Sequence, residues 1–413
     1  MLRFNRLLLP LLILLLPALA SHAAAVKTGA QVAAEDGFSV LKGKKFGLVT
    51  NATAMVEGRH LLDLMIASGT SPSVIFGPEH GLRGKAEDGV RIADAAEGDI
   101  PVLSLYGDRK KPRPEDLAGL DLLVFDIQDI GARFYTFIST MGLAMQGAAE
   151  AGIPFVVLDR PNPLGGNYVS GFVRESGLSS FTSLFPVPIA HGLTVGELAR
   201  MVKGESMLPG LDRLELTVVR MEGWRRSMRW PETGLPWVPT SPNIPDYETS
   251  LLYAGVGLLE ATSASEGRGT REPFKLAGAP SVNGAKLSEN LNARALPGVR
   301  FEPATFSPTA IPGMSSNPKF KDLPVGGVRI EITDQSVLLP VETGVSVMAA
   351  IYESLPEAEK KSFFRKGIDL MAGTTLLQSS LELQLSPDEI QHLWRAEVEA
   401  FRKSRERYLI YSR

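Results

Sequence analysis

From residue 45 onward the apolar positions fall into two spacings. Continuous apolar runs of strand length occupy residues 45–50, 74–76, 102–105, 122–125 and 155–158, the pattern of strands covered on both faces. Between them, residues 60–68 and 137–151 place their apolar side chains along one side of a helix. Strand, helix, strand at this spacing predicts right-handed crossovers and a mostly parallel, Rossmann-like α/β sheet. Residues 194–204 predict another helix, opened by a capping box of Thr194 and Glu197, and residues 214–220 another strand. The pattern then changes. Residues 224–246 are rich in Trp and Pro, with Asn243 among them, and lack periodicity, which reads as a long ordered loop. Its Trp230 and Trp237, with Tyr247, either rim a sugar-binding face or pin the loop to the core. Residues 247–261 read as a helix, and 327–333 alternate as a half-exposed strand. A last helix starts at Pro387, capped by Ser386 and Glu389, with Ile390, Leu393, Trp394, Val398 and Phe401 as its packing stripe. The expectation is a Rossmann-like α/β domain over residues 27–204 and a smaller α+β auxiliary domain over 205–413.

Composition narrows the setting. Arg3 and Arg6, an apolar stretch over residues 7–19 and the small residues around Ala23 form the pattern of a cleaved export signal within residues 1–25. The stretch is short for a membrane span and is broken by Pro10 and Pro17, so no stable membrane anchor is expected. Removing the leader takes the net charge from −3 to about −5, which argues against nucleic acid or an anionic membrane as partner. With no cysteine in 413 residues, disulfides, thiolate metal sites and a cysteine nucleophile are excluded. A periplasmic or secreted protein fits.

Three charged segments punctuated by glycine carry the candidate chemistry. The first is Phe76-Gly-Pro-Glu-His-Gly-Leu-Arg-Gly84, where a buried strand breaks at Gly77-Pro78 into Glu79, His80 and Arg83. The second runs from Asp126 through Gln128, Asp129 and Arg133 to Tyr135, just past another buried strand. The third is Glu266-Gly267-Arg268-Gly269-Thr270. Loops leaving the carboxyl ends of parallel strands are where open α/β sheets bind ligands. Paired carboxylates across a cleft are the equipment of glycoside hydrolysis, with Glu79 as the leading acid. Each acid–arginine pair also reads as a loop-stabilising salt bridge.

Other chemistries fail on missing residues. The turn after the first strand, Asn51-Ala52-Thr53, has no Gly-x-Gly-x-x-Gly, and no Walker motif, His-Glu-x-x-His or Gly-x-Ser-x-Gly occurs. No metal or other cofactor is expected. His191 reads as a structural loop residue, and His60 and His392 as helix residues.

These segments, with Asp159-Arg-Pro-Asn-Pro-Leu-Gly-Gly166 and the stretch from His191 to Leu198, occur in an order that resembles the NamZ-type exo-β-N-acetylmuramidases. The resemblance runs from about Gly43 to Tyr411. It implies an active site in the cleft between a Rossmann-like domain and an auxiliary domain. It also implies release of N-acetylmuramic acid from the non-reducing end of peptidoglycan-derived muropeptides, or of a MurNAc-GlcNAc disaccharide, by cleavage of the β-1,4 bond. Glu79 is the implied catalytic acid. Glu266 and Asp126 both qualify as second carboxylate, with Asp129 behind them, and substrate-assisted catalysis without a protein nucleophile stays open. Arg83, Arg133 and Arg268 are the candidates for the lactyl carboxylate, and Asn51, His80, Gln128, Asp129 and Tyr135 for other substrate contacts. The competing reading from another class is a sugar- or muropeptide-binding protein without turnover.

Overall fold

A computed structural model describes residues 25–412 of the chain. Except for Ala25, the expected export leader lies outside the described residues. The main sheet has seven strands in the order Leu216–Val219, Phe155–Leu158, Leu122–Asp126, Phe46–Thr50, Val74–Gly77, Ile100–Ser104, Ala95–Glu97. Every neighbouring pair is parallel except the last, where Ala95–Glu97 runs antiparallel at the edge. The chain leaves Phe46–Thr50 toward Val74–Gly77 and Ile100–Ser104, then returns to pair Leu122–Asp126 on the other side. The carboxyl ends of these strands therefore open onto one edge of the sheet, on both sides of the reversal.

Burial on both faces explains the unbroken apolar runs. Successive side chains of a strand leave opposite faces. Leu48, Ile75, Val124 and Val156 pack with Ala30, Ala33, Leu62 and Met65 of the helices Gly29–Glu35 and Leu61–Ala67. Their neighbours Val49, Phe76, Phe125 and Val157 pack with Phe137, Met141 and Leu198 of the helices Phe137–Ala151 and Val195–Gly204. Thr194 caps the latter in the predicted capping box. His60 proves to be a cap rather than a helix residue, its ring nitrogen accepting from the Leu62 N–H.

The main sheet draws its edge strand, Leu216–Val219, from beyond residue 204. The later part of the chain adds a three-stranded antiparallel sheet of Leu276–Ala279, Val325–Ile332 and Val299–Phe306. Helices Gly284–Ala293 and Pro340–Ser354 pack on it, Tyr247–Val256 crosses Pro340–Ser354, and Pro387–Arg405 lies against the strand Ser170–Val173. Two of these strands carry no sequence signal: Leu276–Ala279 reads LAGA, without a β-branched residue, and Val299–Phe306 contains Pro303 and two charges. The predicted helix over 247–261 tightens to a 3₁₀ turn at Gly257–Ala261, which aims Glu260 differently from a continued α-helix. The loop 224–246 is pinned by its aromatics: Trp230 is buried and stacks edge-on with Trp237 at 5.1 Å, which in turn meets Tyr247.

One hydrophobic cluster joins the two halves. Phe76, Phe125 and Phe137 belong to the same continuous core as Tyr253, Leu258, Val345 and Trp394. In the second half, helices Tyr247–Val256 and Pro340–Ser354 cross closely where Gly255 faces Gly344. A Cβ on Gly255 would sit 2.0 Å from the Pro340 carbonyl oxygen, and one on Gly344 2.1 Å from the Gly255 backbone. Backbone cannot yield as a flexible side chain can. Gly255→Ala and Gly344→Ala should each cost about 1–3 kcal/mol by overpacking, read as a shift in the urea midpoint. An unchanged midpoint would mean that the helices separate freely.

Candidate active site

The strand Val74–Gly77 ends at Pro78, and the chain turns through His80 and Gly81, both at positive φ (69° and 75°). A left-handed histidine is uncommon and marks a held loop. Here the His80 ring supplies part of the holding: its Nδ1 lies 2.8 Å from the Ala86 carbonyl. A carbonyl only accepts, so Nδ1 carries the proton and Nε2 keeps its lone pair, 3.5 Å from Asp88 Oδ1. Burial pulls the His80 pKa down, with Glu79 opposing, so the ring is neutral near pH 7.

Glu79 is buried at the floor of a cleft of about 170 Å³. Thr136 Oγ1 donates to its Oε2 at 2.6 Å and the Gly89 N–H to its Oε1 at 3.2 Å. The Tyr106 hydroxyl also bonds Glu79, and burial together with that carboxylate holds the phenol well above its usual range. The walls are Phe134, Tyr135, Phe181, Ile244, Tyr253 and Met371. Tyr135 donates to Thr240 Oγ1 at 2.9 Å and meets Phe137 and Tyr253 edge-on.

The second half supplies Arg268 and Glu260. Arg268 Nε donates to Glu260 Oε1 at 2.9 Å, its Nη2 reaches the same oxygen, and its Nη1 pairs with Asp88. Burial lowers the Arg268 pKa to about 10, with Glu79 opposing. Burial also pushes the Glu260 carboxyl up to about 8; the charges of Glu266 and Glu79 add to this, and Lys319 works against it. Glu266 itself is buried, paired with Lys319 Nζ at 2.8 Å and 3.7 Å from Arg268, and is not a wall of the cleft.

The structure thus brings together Glu79, His80, Tyr135 and Arg268 of the expected set and adds Asp88, Tyr106, Thr136 and Glu260. The other expected residues lie elsewhere. Asp126, fully buried, is clasped by Arg160 through Nε at 2.5 Å and Nη2 at 2.9 Å. Asn51 closes its own turn, accepting from the Thr53 N–H and hydroxyl. Gln128 donates to the carbonyls of Asp129 and Pro161. Asp129 accepts from the Gly131 N–H, and burial raises its pKa to about 7. Arg83 is largely exposed and pairs with Glu97. Arg133 is fully buried and donates to the carbonyls of Phe172, Val187, Met371 and Ala372. That guanidinium ties the two halves together from inside and does not face the cleft. His191 accepts from the Leu193 N–H, and burial drops it to about 3, as befits a structural loop residue.

A second cavity, about 310 Å³, lies by the turn after Phe46–Thr50, lined by Val26, Met55, Gln128, Trp230 and Leu235, with Glu57 its one acid. It lacks a carboxylate pair. Among the described residues no group of His, Asp and Glu is placed to hold a metal ion, and no helix is long and apolar enough to cross a membrane.

A sugar-sized cleft with several carboxyls and an arginine, at the carboxyl edge of a parallel sheet, defines a glycoside-hydrolase type of site. Comparison with known proteins makes this specific. Residues 46–248 match the family model of the N-terminal part of exo-β-N-acetylmuramidase NamZ, and residues 251–411 that of its C-terminal part. The peptidoglycan β-N-acetylmuramidase NamZ of Bacillus subtilis (strain 168) is 41% identical over 392 residues, covering 94% of this chain and 91% of that protein. Two crystal structures of DUF1343-family proteins from Bacteroides fragilis NCTC 9343 superpose with TM-scores of 0.86 and 0.78, at 37% and 32% identity. Each covers 94% of this chain and 99% of its own. The chain belongs to the NamZ family of exo-β-N-acetylmuramidases.

Glu260 gives the site a pH signature. Its ordinary pKa is near 4.5 and its folded value about 8, so between those values the folded chain holds a proton that the unfolded chain has lost. Stability from this group must fall as pH rises across that window. Melting temperatures of the wild type should decline more steeply from pH 5 to 8 than those of Glu260→Gln. Parallel slopes would show that Glu260 is ionised throughout.

Proposed function

We propose that this protein removes N-acetylmuramic acid from the non-reducing end of peptidoglycan fragments by hydrolysing its β-1,4 bond, in cell-wall turnover. It does so outside the cytoplasm, after export; the basic and apolar pattern of its first residues supports this placement. The observation that carries the reaction is Glu79 at the floor of a compact cleft, ringed by partners suited to proton exchange. Thr136 and Tyr106 present hydroxyls, which donate to a carboxylate or accept from a carboxylic acid. Glu79 can therefore lose and regain a proton without losing its partners. That suits a group that protonates the leaving oxygen.

Glu260 lines the cleft where Glu266 and Asp126 do not, and is the second carboxyl of the site. Arg268 is the one cation among the residues lining the cleft, and takes the lactyl carboxylate of the muramyl unit. A cleft this small suits a single terminal sugar rather than a long glycan, consistent with exo action. The binding-protein reading is disfavoured by the continuous core through both halves. Proteins that close on a ligand between two lobes need a hinge there.

An aryl β-N-acetylmuraminide and its N-acetylglucosaminide analogue test the reading. The wild type should release the aryl group from the muraminide alone. Glu79→Gln should lose about 10²–10⁴-fold in kcat, the range for a positioned general acid. Release from neither substrate would remove the proposed reaction. Undiminished turnover by Glu79→Gln would keep the reaction and remove Glu79 as its acid.

A further inference from the structure

The segment after Glu79 crosses the cleft. Residues 85–94 have no helix or strand and are mostly exposed, yet three of them fasten to distinct partners. Glu87 accepts from the Gly313 N–H, the Ser316 N–H and the Ser316 hydroxyl, all in the second half. Asp88 pairs with Arg268 Nη1 and accepts from Asn243 Nδ2 at 3.2 Å. Gly89 donates its N–H to Glu79 Oε1. A single short strap therefore bonds the cleft's arginine with one residue and the acid with the next.

Asp88 is also the replaceable partner of that arginine. Glu260 is fixed on a regular 3₁₀ turn and Glu266 is held by Lys319, whereas Asp88 rides an irregular segment with its side chain about one-third exposed. With Glu260 carrying a proton, the charges closest to Arg268 are those of Asp88 and of Glu266, which Lys319 already holds. A sugar bearing a carboxylate needs the same Nη1 edge. A sugar without one offers nothing in exchange.

We propose that Asp88 stands in for the substrate's carboxylate on Arg268, so that only an acidic sugar can displace it and release the 85–94 strap. This rests on the muramidase reading above and adds the means by which that site selects its substrate. Displacement also frees Glu79 Oε1 from the Gly89 N–H, so the strap's departure changes the surroundings of the acid as well as of the arginine. The groups that face Asp88 are His80 Nε2, Arg268 and Asn243, and His80 is neutral, so Arg268 alone opposes its charge.

The test is competitive inhibition of aryl muraminide hydrolysis by free N-acetylmuramic acid and by N-acetylglucosamine, in the wild type and Asp88→Asn. Removing the competing charge should lower the inhibition constant of N-acetylmuramic acid by about threefold to fivefold, the upper range for a partly exposed ion pair. That of N-acetylglucosamine should move less than about twofold. An unchanged or raised constant for N-acetylmuramic acid, at an unchanged melting temperature, overturns the proposal. If Asp88→Asn melts early, Glu87→Ala, which removes all three bonds that fasten the strap to the second half and leaves Asp88 in place, takes its role with the same expected direction and the same contradiction. Hydrolysis by the wild type, with no shift in either variant, removes the strap and leaves the muramidase reading intact. Absence of wild-type hydrolysis removes both.

Discussion

The structure depends on where the Arg268 guanidinium gets its counter-charges. A cation lowered into a protein interior is costly unless acids surround it. Here the charge of Asp88 comes from the loop after the second parallel strand and that of Glu266 from the far side of the cleft, where the Glu260 carboxyl adds an acceptor oxygen. The phenyl ring of Phe274 underlies the guanidinium at 5.1 Å. Because the acids come from both halves, charge balance is met only when the halves are docked. The same requirement fixes the walls around Glu79. Arg133 makes a parallel demand from within: four carbonyls, two from each half, share one buried guanidinium. Neither arginine is satisfied by its own half.

This division of labour explains what the sequence disclosed. The parallel sheet was legible because its strands are buried on both faces, which leaves uninterrupted apolar runs such as residues 122–125. Glu79, His80 and Arg268 were legible because glycines and a proline bracket them, and charged residues on such loops have little packing to do. The antiparallel sheet was not, since Leu276–Ala279 has small residues where its glycines must let another backbone approach. A Cβ on Gly327 would sit 2.1 Å from the Ala277 carbonyl oxygen, and one on Gly278 2.2 Å from that of Gly326.

The misplaced residues follow from one ambiguity. An arginine near an acid in sequence does not show whether the guanidinium faces water, substrate or backbone carbonyls. Arg133 took carbonyls, Arg83 took Glu97 at the surface, and Asp126 found Arg160, thirty-four positions away. Glu260 left no trace because it ends an apolar helix, LLYAGVGLLE, where a single acid reads as the solvent-facing end. Only the 3₁₀ tightening at Gly257–Ala261 and the neighbouring Arg268 reveal its position in the cleft. Asp88 and Tyr106 lie on polar loops whose approach to Glu79 is a property of the sheet's edge.

The most direct test of the account uses two unmodified disaccharides that differ only in sequence. One has muramic acid at the non-reducing end, linked β-1,4 to N-acetylglucosamine, and the other reverses the order. Incubated with the purified protein and followed by mass spectrometry, the first should yield free N-acetylmuramic acid and N-acetylglucosamine, and the second should persist. Cleavage of the reversed disaccharide, or persistence of both, would contradict a site built around Glu79 and Arg268 for a terminal acidic sugar.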